Sequence, residues 1–274
     1  MIVCGHSKVG ATEGGWRITI DEKIAGALNL FPGQNIFGGS TEGSTRLSVS
    51  TLQLNPHVSY FRVFMEDVMG SLASIAELFS FRSVNVLSSG AFGLGNIWVS
   101  EYIADFKGMD VTADDIVNDI QGLGGFVTSR EITEFFPQAF ELESTYEIQV
   151  DDHGEMYLLL PKIAASVAGK GSYSILKAWA DIQALFIDFF PSGIKLVQIS
   201  AMLNDIPGAL NRLASLIGTQ VNMHAIDAQH HEEATGLWIA YGVLEIGSLE
   251  ELASRAESAP EILKFDVKPL GWTG

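Results

Sequence analysis

The chain resembles itself at an interval of about half its length. Trp98 lies in GNIWVSEYIADF and Trp238 in TGLWIAYGVLEI, 140 positions apart. Upstream, EDVMGSLASIAELF begins at Glu66 and NDIPGALNRLASLI at Asn204, an offset of 138. Within these stretches Leu72, Ile75, Ala76 and Phe79 answer Leu210, Leu213, Ala214 and Ile217. Spacings of three, four and seven set each group on one face of a helix. Any two amphipathic helices share that spacing. Two unrelated ones do not also share the Asp, the Gly, the following Val-Asn and the later Trp, so the chain reads as a duplication. Its 274 residues then fold as two sets of small domains rather than as one large domain.

Each copy reads in one order. In the second, Ile194–Met202 alternates as a strand. A helix begins after Asp205, with Pro207 in its first turn, where a missing N–H costs nothing, and Gly218 ends it. Val221–Ala228 and Leu237–Ile246 are two further strands, joined by the polar QHHEEATG. Ser248 opens another helix with Glu251 three residues on, the spacing of a capping box. Ile262–Pro269 closes as a strand. The first copy follows suit from Val58 to Ile132, with Thr112 and Asp115 as the cap pair. The order β-α-β-β-α-β is the split βαβ arrangement, an antiparallel sheet backed by two helices. The fold class is α+β, with a ferredoxin-like module in each half.

At this point NDIPGALNRLASLIGTQVN resembles the ligand-binding segment of ACT domains, small regulatory modules that bind amino acids. The family's pattern is an acidic or Asn residue, any residue, Pro-Gly, a small residue, Leu, and a Val-Asn further on. Asp205, Pro207, Gly208, Ala209, Leu210, Val221 and Asn222 match it. In the first copy Asp67, Gly70, Leu72, Val84 and Asn85 match, while Met69 replaces the Pro and Ser71 the small apolar residue. In such domains the ligand sits between two side-by-side modules. The resemblance therefore implies that Asp205 works with Asn85, and Asp67 with Asn222. It also implies a non-catalytic regulatory protein that forms homo-oligomers through its sheets and acts on a partner protein of unknown kind.

The remaining segments read differently. Residues 1–56 show a strand at Trp16–Ile20, a short helix with Ile24, Ala27 and Leu28 apolar, a Leu30-Phe31-Pro32-Gly33 turn, and strands at Gln34–Phe37 and Arg46–Ser50. This is similar to the swapped-hairpin unit of AbrB-like proteins. Its counterpart, HGEMYLLLPKIAASVAGKGSYSILKAW, places Leu160-Pro161 140 positions after Ile20-Asp21. The expected modules are an AbrB-like unit at 1–56, an ACT module at 57–137, a diverged AbrB-like unit at 138–193 and an ACT module at 194–274.

AbrB-like units often bind DNA, so a DNA-binding transcription regulator is the alternative reading, beside a purely structural assembly module, and charge disfavours DNA binding. In the first unit Lys8, Arg17, Lys23 and Arg46 balance Glu13, Asp21, Glu22 and Glu42. In the second, Lys162, Lys170 and Lys177 face eight acidic residues. The whole chain carries −17. Phosphate contacts need Lys and Arg to displace counterions, and an anionic leaflet repels such a surface too. The simpler role is structural, holding the ACT modules.

The motif residues suit an amino acid for physical reasons. A helix start has unpaired N–H groups and the positive end of the dipole, which hold a carboxylate. Gly208 lets backbone and ligand approach closely. Asp205 can accept from an ammonium, and Asn222 both donates and accepts. Each also has a purely structural explanation: Asp205 as an N-cap, Gly208 as a close-packing residue, Asn222 as a turn former. Gly70 stands where Gly208 does, and Asp67 and Asn85 where Asp205 and Asn222 do, in a copy where Met69 alters the contact.

Little else carries chemistry. His224, His230, His231, Glu232 and Glu233 cluster in sequence, but adjacent histidines on extended chain point to opposite faces, and a solvated hairpin explains them. GAFGLGN, around Gly90–Asn96, has irregular glycines between two strands, not at a strand-to-helix turn. No GxSxG, P-loop or HExxH is present, no cofactor is expected, and the lone Cys4 has no base partner in sequence. The first residues show no secretory pattern. The most apolar stretch, Ile175–Leu203, is broken by Lys177, Asp181, Asp188, Pro191 and Lys195, so no membrane span and a cytoplasmic location are expected.

Overall fold

Alternation of apolar residues and well-placed turns dictate a strand-rich chain. A computed structural model describes residues 2–40, 44–54, 57–131, 142–160, 172–230 and 234–272. It is a mixed α+β protein with antiparallel sheets, and it divides into two compact units. Unit 1 joins Met1–Thr51 to Leu142–Gly274, and unit 2 is Leu52–Glu141. In chain order the first segment gives β1 (Ile2–Lys8), β2 (Gly10–Ala11), β3 (Trp16–Thr19), α1 (Glu22–Ala27), β4 (Asn35–Ser40) and β5 (Arg46–Ser50). Unit 2 gives β6 (Val58–Glu66), α2 (Ser71–Phe81), β7 (Asn85–Leu94), β8 (Ile97–Asp105), α3 (Ala113–Gly122) and β9 (Phe126–Glu131). The rest of unit 1 gives β10 (Leu142–Val150), β11 (Met156–Leu160), β12 (Tyr173–Trp179), β13 (Ala184–Phe190), β14 (Leu196–Asn204), α4 (Ala209–Ile217), β15 (Val221–His230), β16 (Thr235–Leu244), α5 (Leu249–Glu257) and β17 (Ile262–Pro269).

Two sheets share one topology. In unit 2 the order is β7-β8-β6-β9, and in the C-terminal part of unit 1 it is β15-β16-β14-β17. Each is a four-stranded antiparallel sheet in which the first strand lies between the third and the fourth, the ferredoxin-like arrangement. Both sheets slip register at the same place in the second strand, between Val86 and Ser88 and between Met223 and Ala225. The cores are separate. Phe61, Val63, Ile75, Phe79, Ile116 and Ile120 fill one, and Val197, Ile199, Leu213, Ile217, Trp238 and Leu252 the other.

The third sheet interleaves strands from the two ends of the chain. Its order is β1-β12-β13-β5-β4-β10-β11-β3-β2. β13 pairs with β5 and β11 with β3, each ladder joining a residue before 52 to one after 141. Ile18, Ile24, Leu47 and Val49 share one core with Ile148, Leu158, Leu185 and Ile187. Across its ladders, Asp188 sits opposite Arg46, which donates from Nε at 2.6 Å, and Lys177 pairs with the same carboxylate. Within unit 1 this sheet meets the β14–β17 sheet along a seam of Cys4, Ile175, Leu196, Ala225 and Tyr241. Among the described residues, no helix is long and apolar enough to cross a membrane.

Candidate functional site

The turns that open α2 and α4 differ from the other helix starts. Asp21, Thr112 and Ser248 cap α1, α3 and α5 with a side-chain oxygen. The Thr112–Asp115 pair is a complete capping box. At Ser248 only half the box forms, because the Glu251 carboxylate accepts from Gln220 Nε2 instead. By contrast α2 and α4 begin on Gly70 and Gly208, with φ of 101° and 94° and no side-chain cap. No side chain accepts from the first-turn N–H groups there, and those beyond Ser71 and Ala209, whose N–H groups are taken by the turn itself, face water or a ligand.

The two turns are built alike, bond for bond. Asp67 N–H donates to Asn96 O at 2.9 Å, and Asp205 N–H to Ala234 O at 2.8 Å. Val68 N–H reaches Glu66 O at 3.0 Å, and Ile206 N–H reaches Asn204 O at 2.9 Å. Ser71 N–H donates to Val68 O and Ala209 N–H to Ile206 O. In the first turn the Ser71 hydroxyl also donates to Glu66 O at 2.8 Å, which an alanine cannot do.

These details correct two expectations. The α4 helix starts at Ala209, not directly after Asp205. Pro207 precedes it, and Gly208 rather than Asp205 occupies the cap position. A left-handed residue reverses the chain one step later than a side-chain cap would. Leu72 and Leu210 are also not core residues, being 50% and 55% exposed. Ile75, Phe79, Leu213 and Ile217 are buried as their spacing predicts, while Ser71 and Ala209 rather than Leu72 and Leu210 take the inward position of the first turn, four residues before Ile75 and Leu213, and Ala76 is exposed. The exposed Leu210 joins Ile206, 52% exposed, as an apolar rim of the turn; Val68, Leu72 and a fully exposed Met69 do the same in the first module.

The structure does not bring all the motif residues of one module together. Asn204 pairs with Thr235 at one end of β16, and Asn222 with Val243 near the other. Eight residues of strand separate those partners, roughly 27 Å at about 3.4 Å each. The same holds for Glu66–Ile97 and Asn85–Asp105. Asp205, Pro207, Gly208, Ala209 and Leu210 lie together at one end of the sheet and Asn222 near the other; Asp67 and Gly70 are likewise apart from Asn85.

One residue escaped sequence reasoning. A Cβ on Gly93 would fall 2.8 Å from Asp67 Oδ2, so the absence of a side chain at Gly93 makes room for the Asp67 carboxylate. Its place in GAFGLGN was legible only as an irregular glycine. The pairing of Gly93 with Trp98 across the ladder gives it meaning. Of the histidine cluster, residues 231–233 and the side chain of His230 lie outside the described residues. Among the described residues no group of three or more His, Cys, Asp or Glu is placed to hold a metal.

A Cβ on Gly208 would meet nothing within 4 Å, and the same is true of Gly70. The only cost of alanine there is the left-handed backbone. Gly208→Ala is expected to lose about 1–2 kcal/mol in urea denaturation, and an unchanged midpoint would contradict the left-handed cap.

No protein-family model matches the sequence, and a search of curated proteins found no relative. Solved structures give loose likenesses only. An unknown protein from Galdieria sulphuraria has a TM-score of 0.31 at 10% identity, over 79% of this chain and 99% of that one. A putative glycine cleavage system transcriptional repressor has 0.28 at 9%, over 78% and 97%. The ligand-free regulatory subunit of aspartate kinase from Thermus thermophilus has 0.24 at 8%, over 74% and 93%. Superpositions this loose decide neither fold nor function.

Proposed function

We propose that the chain is a non-catalytic, ligand-sensing regulatory protein of ACT type, which binds a small amino acid at the turns before α2 and α4. One observation carries this reading. The two helices that bear the motif are the two that open on a left-handed glycine without a side-chain cap, whereas α1, α3 and α5 are capped. In this reading the ligand carboxylate lies on the first-turn N–H groups, its ammonium on Asp205 or Asp67, and its side chain on the apolar rim.

A small ligand cannot span the roughly 27 Å to the asparagine of the same module. We therefore complete each site with the asparagine of another module, Asn85 for the Asp205 turn and Asn222 for the Asp67 turn, and self-association through the sheets is part of the proposal. β7 and β15 are edge strands, and an edge strand can accept another chain. We further infer that the chain is an internal duplication, with the nine-stranded sheet as its swapped-hairpin, AbrB-like body. β1 and β10, and β3 and β11, start 140 residues apart; β4 and β12, and β5 and β13, start 138 apart. The ladder β1–β12 then corresponds to β10–β4. With a net charge of −17, this body serves assembly better than phosphate contacts.

The test is a melting screen with each of the twenty protein amino acids. A ligand that binds only the folded state stabilises it, by about 2.7 kcal/mol at a hundred times Kd. At least one amino acid is expected to raise the Tm by several degrees. A screen in which none moves it removes the reading.

A further inference from the structure

We propose that strand β15 carries the occupancy of Asn222 into the seam between the β14–β17 sheet and the nine-stranded sheet. The proposal rests on the reading of Asn222 as a ligand residue. Asn222 pairs with Val243, and cross-strand partners share a face of the sheet. Val243 packs into the seam with Cys4, Ile175, Leu196, Ala225 and Tyr241. Asn222 therefore stands on the seam face at the exposed start of an edge strand.

The next residues turn the strand toward that seam. The register slips between Met223 and Ala225, which makes His224 an extra, bulged residue. Val221 and Met223 face the core under the helices. By strict alternation Ala225 would follow them. The bulge turns it into the seam instead. The His224 ring meets Phe190 of β13 edge-on, with centroids 5.0 Å apart and planes at 78°. Asp188, Lys177, Arg46 and Glu245 stand around it, and burial holds its pKa below the ordinary imidazole value. Two residues on, the Ile226 carbonyl accepts from the Cys4 thiol at 3.8 Å. Gly242 faces the bulge, and a Cβ there would come 2.6 Å from the Asn222 carbonyl oxygen, so its missing side chain lets β16 lie this close to Asn222. The six residues from Val221 to Ile226 thus hold the ligand group, the bulge and three contacts to the other sheet.

Cys4 reads this seam directly. It is the chain's one cysteine, it is 8% exposed, and burial pushes its thiol up to about 11. A thiol reagent at neutral pH reaches it only when the seam opens, and a ligand that holds β15 closes that opening.

The experiment follows maleimide labelling of Cys4 with and without an equimolar mixture of the nineteen protein amino acids other than cysteine, whose thiol would consume the reagent, beside calorimetry of the same titration. A control chain carries Cys4→Ala with Val49→Cys, a buried site in the nine-stranded sheet away from the seam. The expected result is labelling of Cys4 slowed about tenfold at ten times Kd, with the control slowed far less, and loss of that protection in His224→Ala while binding heat persists. Equal slowing of both cysteines would mean general stabilisation and would overturn the coupling. Binding heat with no change at Cys4 would overturn it too, while leaving the proposed function standing. No heat at all would remove the function and the coupling together.

Discussion

Gly38→Ala is expected to unfold the nine-stranded sheet or come close to it. Gly38 lies in β4 between Val49 of β5 and Ser144 of β10. A Cβ there would fall 2.0 Å from the Ser48 carbonyl oxygen and 2.7 Å from Val49 Cα. Both are backbone atoms, so no change of rotamer relieves the overlap, and a ladder has to part. Overpacking a core usually costs 1–3 kcal/mol; a backbone collision belongs at the upper end of single-substitution effects, about 4 kcal/mol. Gly26→Ala is the matched control. It lies inside α1 with nothing within 4 Å of its Cβ position, and it is expected to stabilise by up to about 1 kcal/mol, the helix propensity gained. Urea midpoints of the two variants should move in opposite directions. A Gly38→Ala midpoint equal to the parent's would mean that β4 and β5 do not approach as described.

The second large effect is at Asp188. Its carboxylate is 9% exposed and accepts from Arg46, with Lys177 as its other partner. Burial raises its pKa, but the hydrogen bonds and charges of Arg46 and Lys177 outweigh burial and hold it below the usual carboxylate range. Asp188→Asn leaves Lys177, only 19% exposed, without its counter-charge. Breaking a buried pair costs 3–5 kcal/mol. Because the Arg46 side chain is 54% exposed and keeps its hydration, about 2–3 kcal/mol is expected. The pH dependence has a definite sign. A group whose folded pKa is lowered stabilises above its unfolded value, near 3.9, and that contribution is lost as pH falls through the folded value. The stability gap between parent and Asp188→Asn should therefore be full at pH 7 and shrink below about pH 4. Denaturation curves at pH 7 and pH 3 measure it, and a gap that widens in acid would exclude the ion cluster as its source.

How much of this was legible in the sequence follows from which interactions are local. Ser248, Thr112 and Gly218 marked helix ends correctly, because capping depends on residues three or four apart. The strands β14 to β17 were recoverable from alternation within a few residues of their ends. The start of α4 was misplaced because Asp205 and Pro207 both satisfy helix-start chemistry, and only the left-handed backbone of Gly208 sets the boundary. β1 went unread. IVCGHSK has too few strong strand formers to declare itself, and it is held by β12, 171 residues away across Ile2–Trp179 to Lys8–Tyr173. The interleaving of the terminal segments was invisible for the same reason, since β13–β5 and β11–β3 are ladders between distant strands. Of the candidate site, the residue types were legible and the resemblance already set Asp205 with Asn85 rather than Asn222, but the distance within one module was not legible. Pro207-Gly208 and Asn222 are near in sequence, yet the helix between them carries the chain back along the sheet before β15 begins.

The central claim is that the uncapped turns and the two asparagines are halves of an amino-acid site. Titration calorimetry on the parent, Asp205→Ala and Asn222→Ala, using whichever amino acid most raises the Tm, tests it most directly. The account predicts saturable binding to the parent and, in each variant, one of the two sites weakened at least tenfold, about 1.4 kcal/mol, with both variants folded by circular dichroism. Equal affinity in all three chains would contradict it.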